Sequence, residues 1–204
     1  TFARRLQELM PSRRIALIKY SRGGTSIAEQ AAGRFGCWEP DFEQGEGDRS
    51  GINQYDHFLR TLRLAFADND IDGDGMPDRL IPSGIVWMQG ESDASYGPEI
   101  AGRYKDNLKR LIDLIRAALR TDDLPVVIGR ISDSGRDETD GKVWNDGEIV
   151  REAQAAFVDG DPNAALVKTT DQYDYSDKWH YDSAGYIELG RKFAEGLHHQ
   201  IADD

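Results

Sequence analysis

Residues 83–93 read Ser-Gly-Ile-Val-Trp-Met-Gln-Gly-Glu-Ser-Asp (SGIVWMQGESD), and the fold is decided here. The first seven are a run of strand length, buried in character, and a dense set of polar groups begins where the run stops. Towards the C-terminus, Leu108, Leu111, Ile112, Ile115 and Leu119 recur on one face and predict a helix over 104–119. The strand signal returns at 124–131 (LPVVIGRI), followed by a helix over 150–158, a strand over 164–169 and a closing amphipathic helix over 183–201. Towards the N-terminus, Tyr55, Phe58, Leu59, Leu62 and Phe66 mark another helix. Before it lie a Gly-rich irregular stretch over 21–50, a strand over 14–20 (RIALIKY), and a helix over 2–10 that Pro11 stops. Apolar strands alternating with helices predict parallel βαβ units covered on both faces. The expectation is one α/β domain over 1–204, a three-layer α/β/α arrangement with a central parallel sheet.

Composition bounds the function. The chain has 204 residues, with 25 Lys and Arg against 37 Asp and Glu and a formal charge of −12. An acidic molecule without a dense basic run lacks the positive stripe that releases counterions from a phosphate backbone, so nucleic acid is excluded as a partner. No stretch approaches the roughly 20 consecutive apolar residues of a membrane span. The single Cys37 rules out an internal disulfide and any multi-thiolate metal site.

In a parallel sheet, chemistry gathers in loops just past the carboxyl ends of strands. After the strand over 14–20 stands Ser21-Arg22-Gly23-Gly24-Thr25-Ser26. Its two glycines let backbone approach a ligand and point N–H groups at an anion, or simply satisfy a loop that needs positive φ. After the strand over 83–89, the Gln89 amide can donate to a developing oxyanion or brace loop backbone. Near the C-terminus, Asp177 and His180 are three residues apart in a loop, so the carboxylate can hold Nδ1–H and leave Nε2 to accept a proton. The other histidines, His57, His198 and His199, fall within predicted helices.

The acidic stretch over 68–78 places Asp70, Asp72, Asp74 and Asp78 at positions one, three, five and nine of a calcium-type loop, with Gly75 at six. Position twelve is Ile81 in place of the usual Glu, so the expectation is a weak, structural Ca2+ site, alternatively a solvated acidic turn. Weak calcium binding suits an extracellular or periplasmic setting. Trp38, Trp144 and Trp179 can stack on a sugar or pack in the core, and Trp179 neighbours His180. Arg151 and Gln154 share a helical face and are expected to brace internal loops, and Glu91 can pair with Lys19 or Arg130.

Taken in order, residues 19–26 (KYSRGGTS), 87–93, 151–154 (REAQ) and 177–180 (DKWH), with Gly185 and Gly190, resemble the sialate O-acetylesterase-like branch of the SGNH (GDSL) hydrolases, which includes carbohydrate acetyl esterases. The resemblance implies an SGNH hydrolase-like, flavodoxin-like strand arrangement and a serine esterase that removes acetyl groups from sugars such as sialic acid or xylan, with no cofactor for catalysis. It implies His180 as general base and then acid, Asp177 as its orienter, and an oxyanion hole from the Gly24 N–H and the Gln89 side chain. Gly23, Thr25, Glu91 and Trp179 become candidate substrate contacts. The family's nucleophile lies in a Gly-Gln-Ser-Asn block that does not occur here, and its first strand lies between those matching 14–20 and 83–89. The chain is therefore expected to be part of a longer protein, with the serine upstream. A rival nucleophile, Ser92 in Gly90-Glu91-Ser92-Asp93-Ala94, nearly matches the Gly-x-Ser-x-Gly elbow. Two other classes stand beside the esterase: a non-catalytic carbohydrate-binding relative that has lost its nucleophile, and a calcium-dependent extracellular module.

Overall fold

A computed structural model describes residues 1–43 and 51–202, so part of the irregular stretch expected over 21–50 lies outside the described residues. Among these residues three strands, β1 (Ile85–Trp87), β2 (Val126–Gly129) and β3 (Ala164–Val167), form a parallel sheet in the order β1-β2-β3. Ile85 stands opposite Val126 and Trp87 opposite Ile128, while Val126 to Gly129 pair with Ala164 to Val167 in turn. Every residue of β2 is buried. Because strand side chains alternate, Val126 and Ile128 point into one core and Val127 into another.

Among the described residues six helices cover the two faces: α1 (Phe2–Leu9), α2 (Gln54–Ala67), α3 (Pro98–Gly102), α4 (Tyr104–Leu119), α5 (Gly147–Asp159) and α6 (Ser183–Ala202). Leu108, Leu111, Ile112 and Ile115 of α4 and Val150 and Phe157 of α5 pack on Val126, Ile128 and Trp87, with Tyr55 of α2 joining them. On the other face, Leu189, Phe193 and Leu197 of α6 and Leu6 of α1 enclose Val127 and Val167. The result is the expected three-layer α/β/α arrangement. α4 has the predicted bounds and ends on Arg120 in the left-handed conformation (φ 56°).

The strand predicted over 14–20 is a correction. Among the described residues this segment joins no sheet, and Leu17 is 56% exposed. β1 ends the sheet, and Val86 is 40% exposed. A strand exists through a neighbour's backbone, and an apolar run by itself cannot supply that neighbour. Trp38 proves to be a core residue, packed edge-on against Trp87 (5.0 Å) and Tyr20 (5.6 Å). Cys37 is fully buried beside it, and burial pushes its thiol up to about 12. Among the described residues, no helix is long and apolar enough to cross a membrane.

Candidate functional site

Asp177 and His180 sit on a tight turn just before α6. The turn is closed by an antiparallel bridge between Tyr175 and Tyr181, and the Ser176 N–H donates to the His180 carbonyl at 2.9 Å. Asp177 Oδ1 accepts from the backbone N–H groups of Trp179 (2.7 Å) and His180 (2.8 Å), and Oδ2 meets His180 Nδ1 at 2.7 Å. These bonds, that from Trp179 foremost, hold the Asp177 carboxyl below its usual range. The imidazole is 62% exposed, so it stands open to a substrate. The loop after β2 grips the turn from outside. Ser134 Oγ donates to the Lys178 carbonyl at 2.7 Å, Arg136 donates to the Asp177 carbonyl at 3.2 Å, and Lys178 pairs with Asp137, whose carboxyl is lowered to about 2.

The second wall follows β1. Gly90 has φ 147°, and a Cβ there would lie 2.9 Å from Val150 Cγ1 and 3.1 Å from Ile131 Cγ2, so the chain can turn sharply here only with glycine. Gln89 is buried. Its Nε2 donates to the Thr25 carbonyl (3.0 Å) and to Asp93 Oδ2 (2.8 Å), while Oε1 accepts from the Tyr104 hydroxyl at 3.1 Å. Both amide hydrogens are thus committed inside the protein. Asp93, with no exposed surface, also accepts from the N–H groups of Ile27 and Ala28, each at 2.9 Å. This carboxylate ties the glycine loop to the Gln89 loop, and burial raises its pKa. Thr25 is buried as well: its hydroxyl donates to the Arg22 carbonyl (2.9 Å) and accepts from Trp38 Nε1 (3.2 Å). Gly23 and Gly24 remain at the surface of this loop, Gly24 with φ 69°, and its N–H makes no hydrogen bond among the described residues.

The two walls meet electrostatically at Glu91. Burial raises its carboxyl, Asp93 raises it further, and nearby His180 favours the ionised form. Burial pushes up the phenols of Tyr175, Tyr181 and Tyr186, and the Glu91 carboxyl adds to the rise. Among the described residues Glu91 forms no ion pair with Lys19 or Arg130. Arg130 instead joins Arg151 on Asp171, where Arg151 is bidentate at 2.5 and 2.9 Å. Gln154, fully buried on the same face of α5, donates to the carbonyls of Gln89 (3.0 Å) and Gly129 (3.3 Å) and accepts from the Ile131 N–H (3.0 Å). One side chain therefore fixes the carboxyl ends of β1 and β2.

Other candidates fall elsewhere. Trp179 is 55% exposed beside His180, with Lys178 Nζ 5.9 Å from its ring centre, whereas Trp144 packs against the core. Among the described residues no hydrogen bond joins Ser92 to His180, and Ser92 instead begins a short turn, Asp93–Ser95, behind Gln89. In the acidic loop, carboxylate oxygens of Asp70, Asp72 and Asp78 lie within 4.8 Å of one another, without Asp74, whose Oδ1 accepts from the Met76 N–H. Arg14 pairs with Asp72 (3.4 Å) and Asp78 (3.3 Å). Sequence reasoning missed Asp93 and the Ser134, Arg136 and Asp137 grip on the turn. Asp93 was visible as an acid beside a buried strand, but its partners lie 65 and 66 residues away.

The family model for sialic acid-specific acetylesterases, a carbohydrate esterase family, matches residues 1–199. A search of curated proteins finds no match. Among solved structures, an Arabidopsis thaliana protein is similar at 22% identity and a TM-score of 0.56, over 74% of this chain and 54% of that one. The chain thus spans about half the length of that protein, and the likeness supports the α/β fold.

Proposed function

The chain belongs to the carbohydrate esterase family of sialic acid-specific acetylesterases, and from that premise we propose that it removes O-acetyl groups from an acetylated carbohydrate by serine chemistry. The observation that carries this reading is the 2.7 Å contact of Asp177 with Nδ1 of an open imidazole. With the Nδ1 proton held there, His180 Nε2 takes the proton of an attacking serine hydroxyl. The serine oxygen bonds to the acetyl carbon, and the proton passes from Nε2 to the sugar oxygen as the ester C–O bond breaks. Water then attacks the acyl-enzyme, giving its proton to His180, and acetate leaves as the serine recovers that proton. The Gly24 N–H, without a hydrogen bond among the described residues, serves as the standing oxyanion donor. Gln89 joins it by releasing Thr25 or Asp93, and Gly23, Glu91 and Trp179 border the sugar.

The nucleophile in this proposal is a serine outside residues 1–204. The open edge of β1 and the unpaired segment over 14–20 support an additional strand between them, as the family resemblance implies. Reaction with a serine-directed phosphonate followed by peptide mapping locates the nucleophile. Label on a peptide outside residues 1–204 supports the proposal, and label on Ser92 replaces it. His180→Ala is expected to lower acetate release by at least about 1,000-fold with the fold intact. Activity within tenfold of the parent overturns the assigned role. Binding of acetylated sugar with neither label nor turnover favours the non-catalytic relative.

Asp70, Asp72 and Asp78, with Asp74 at the rim, are proposed to hold a structural Ca2+ through carboxylate oxygens. Arg14 balances part of their charge. Such a weak site fits an extracellular or periplasmic protein.

A further inference from the structure

Asp177 and His180 are about half exposed, at 48 and 62%, so where they stand depends on the turn that carries them. The tip of that turn is held by the loop after β2, and its base is the bridged pair Tyr175 and Tyr181. The two rings are 4.9 Å apart, and both hydroxyls end on one atom, Ser132 Oγ, at 2.7 and 2.6 Å. Ser132 is buried beyond the carboxyl end of β2, and its own proton goes to the Thr170 carbonyl at 3.2 Å. A serine hydroxyl has one proton to give and two lone pairs to receive, and here all three are used. Both phenols are raised by burial, so at neutral pH both remain O–H donors.

We infer that Ser132 is a positioning residue for the Asp177–His180 pair: a buried hydroxyl that fixes the turn's base to β2 and so keeps His180 Nδ1 on the carboxylate. Removing it leaves two phenolic hydroxyls without their shared acceptor. They reorient towards each other or towards water, and the turn base shifts with them, while Ser134, Arg136 and the Lys178–Asp137 pair still hold the tip of the turn. This rests on the reading of His180 as general base, but its test does not need turnover.

The test follows the imidazole nitrogens by 15N–1H NMR in the whole protein, including any segment outside residues 1–204, at a pH of about 9, above the ordinary imidazole range. Residues 1–204 hold four histidines, and His180→Asn identifies the signals of His180 by their loss. The parent is expected to show His180 as the Nδ1–H tautomer. Ser132→Ala should convert it to a mixture with the Nε2–H form, leave His57 unchanged, and be reversed in Ser132→Thr, which restores the hydroxyl. If Ser132→Ala does not fold, Tyr175→Phe removes one of the two bonds and should produce a smaller conversion of the same kind. An unchanged tautomer in the folded variants overturns the role of Ser132 alone. A parent spectrum without the Nδ1–H form overturns both this inference and the general-base reading.

Discussion

At Glu91 the folded state raises the carboxyl above its ordinary 4.5, because burial disfavours the charge more than nearby His180 supports it. Folding favours the protonated form, so the contribution of this residue to stability falls as pH rises through 4.5 and on through the raised value. Glu91→Gln should therefore raise Tm relative to the parent by more at pH 7 than at pH 4, measured by calorimetry at both. An equal shift at the two values would show that Glu91 ionises as freely as in the unfolded chain. Asp177 behaves oppositely: its carboxyl is lowered, so its bonds to Trp179 and His180 persist above the usual carboxylate range and are lost only as pH falls through the lowered value. The Asp177–His180 pair was legible in the sequence because its two members are three residues apart, within reach across one turn. Asp93 was not, because its carboxylate acts on N–H groups of a loop that only folding brings near.

Among the elements, α5 links the sheet to the site. Residues 151 and 154 are one turn apart, so Arg151 and Gln154 lie on the same side and reach the ends of the strands together. Gln154→Leu would leave the Gly129 carbonyl and the Ile131 N–H without this partner in the core, while the Gln89 carbonyl keeps the Tyr104 hydroxyl at 2.6 Å. The expected loss is about 2–5 kcal/mol in urea unfolding, since buried polar groups without partners cost about 1–3 kcal/mol each. A loss below 1 kcal/mol would mean that these groups find other partners. The long helices were legible because their apolar spacing is a local property, and α4 matches its predicted bounds. The short α3 and the Asp93–Ser95 turn carry too few residues for periodicity to mark them.

For the whole molecule, the sheet is well enclosed at β2 and open at β1. Hydrogen exchange of the 204-residue chain should find the amides of Val126–Gly129 protected at least about 100-fold more than those of residues 14–20. Comparable protection would show that the segment over 14–20 is paired in solution. The acidic loop is the second global element, since it joins α2 to the stretch leading into β1. After chelation, millimolar Ca2+ is expected to raise Tm by at least about 3 °C. Asp72→Asn should remove most of that rise, and an unchanged Tm in the parent would rule out the proposed site.

The sequence by itself determined the class of fold and, apart from the strand expected over 14–20 and the short α3, the order of strands and helices. Each of these follows from side-chain periodicity and from residues close together in the chain. Tertiary structure decided what depends on distant partners. It turned Trp38 and Thr25 inward, committed both hydrogens of Gln89, joined two loops through Asp93 and left the segment over 14–20 without a ladder. A hydrogen bond or a strand pair needs a second group in a definite place, and that place is set by packing the whole chain, which no local pattern encodes.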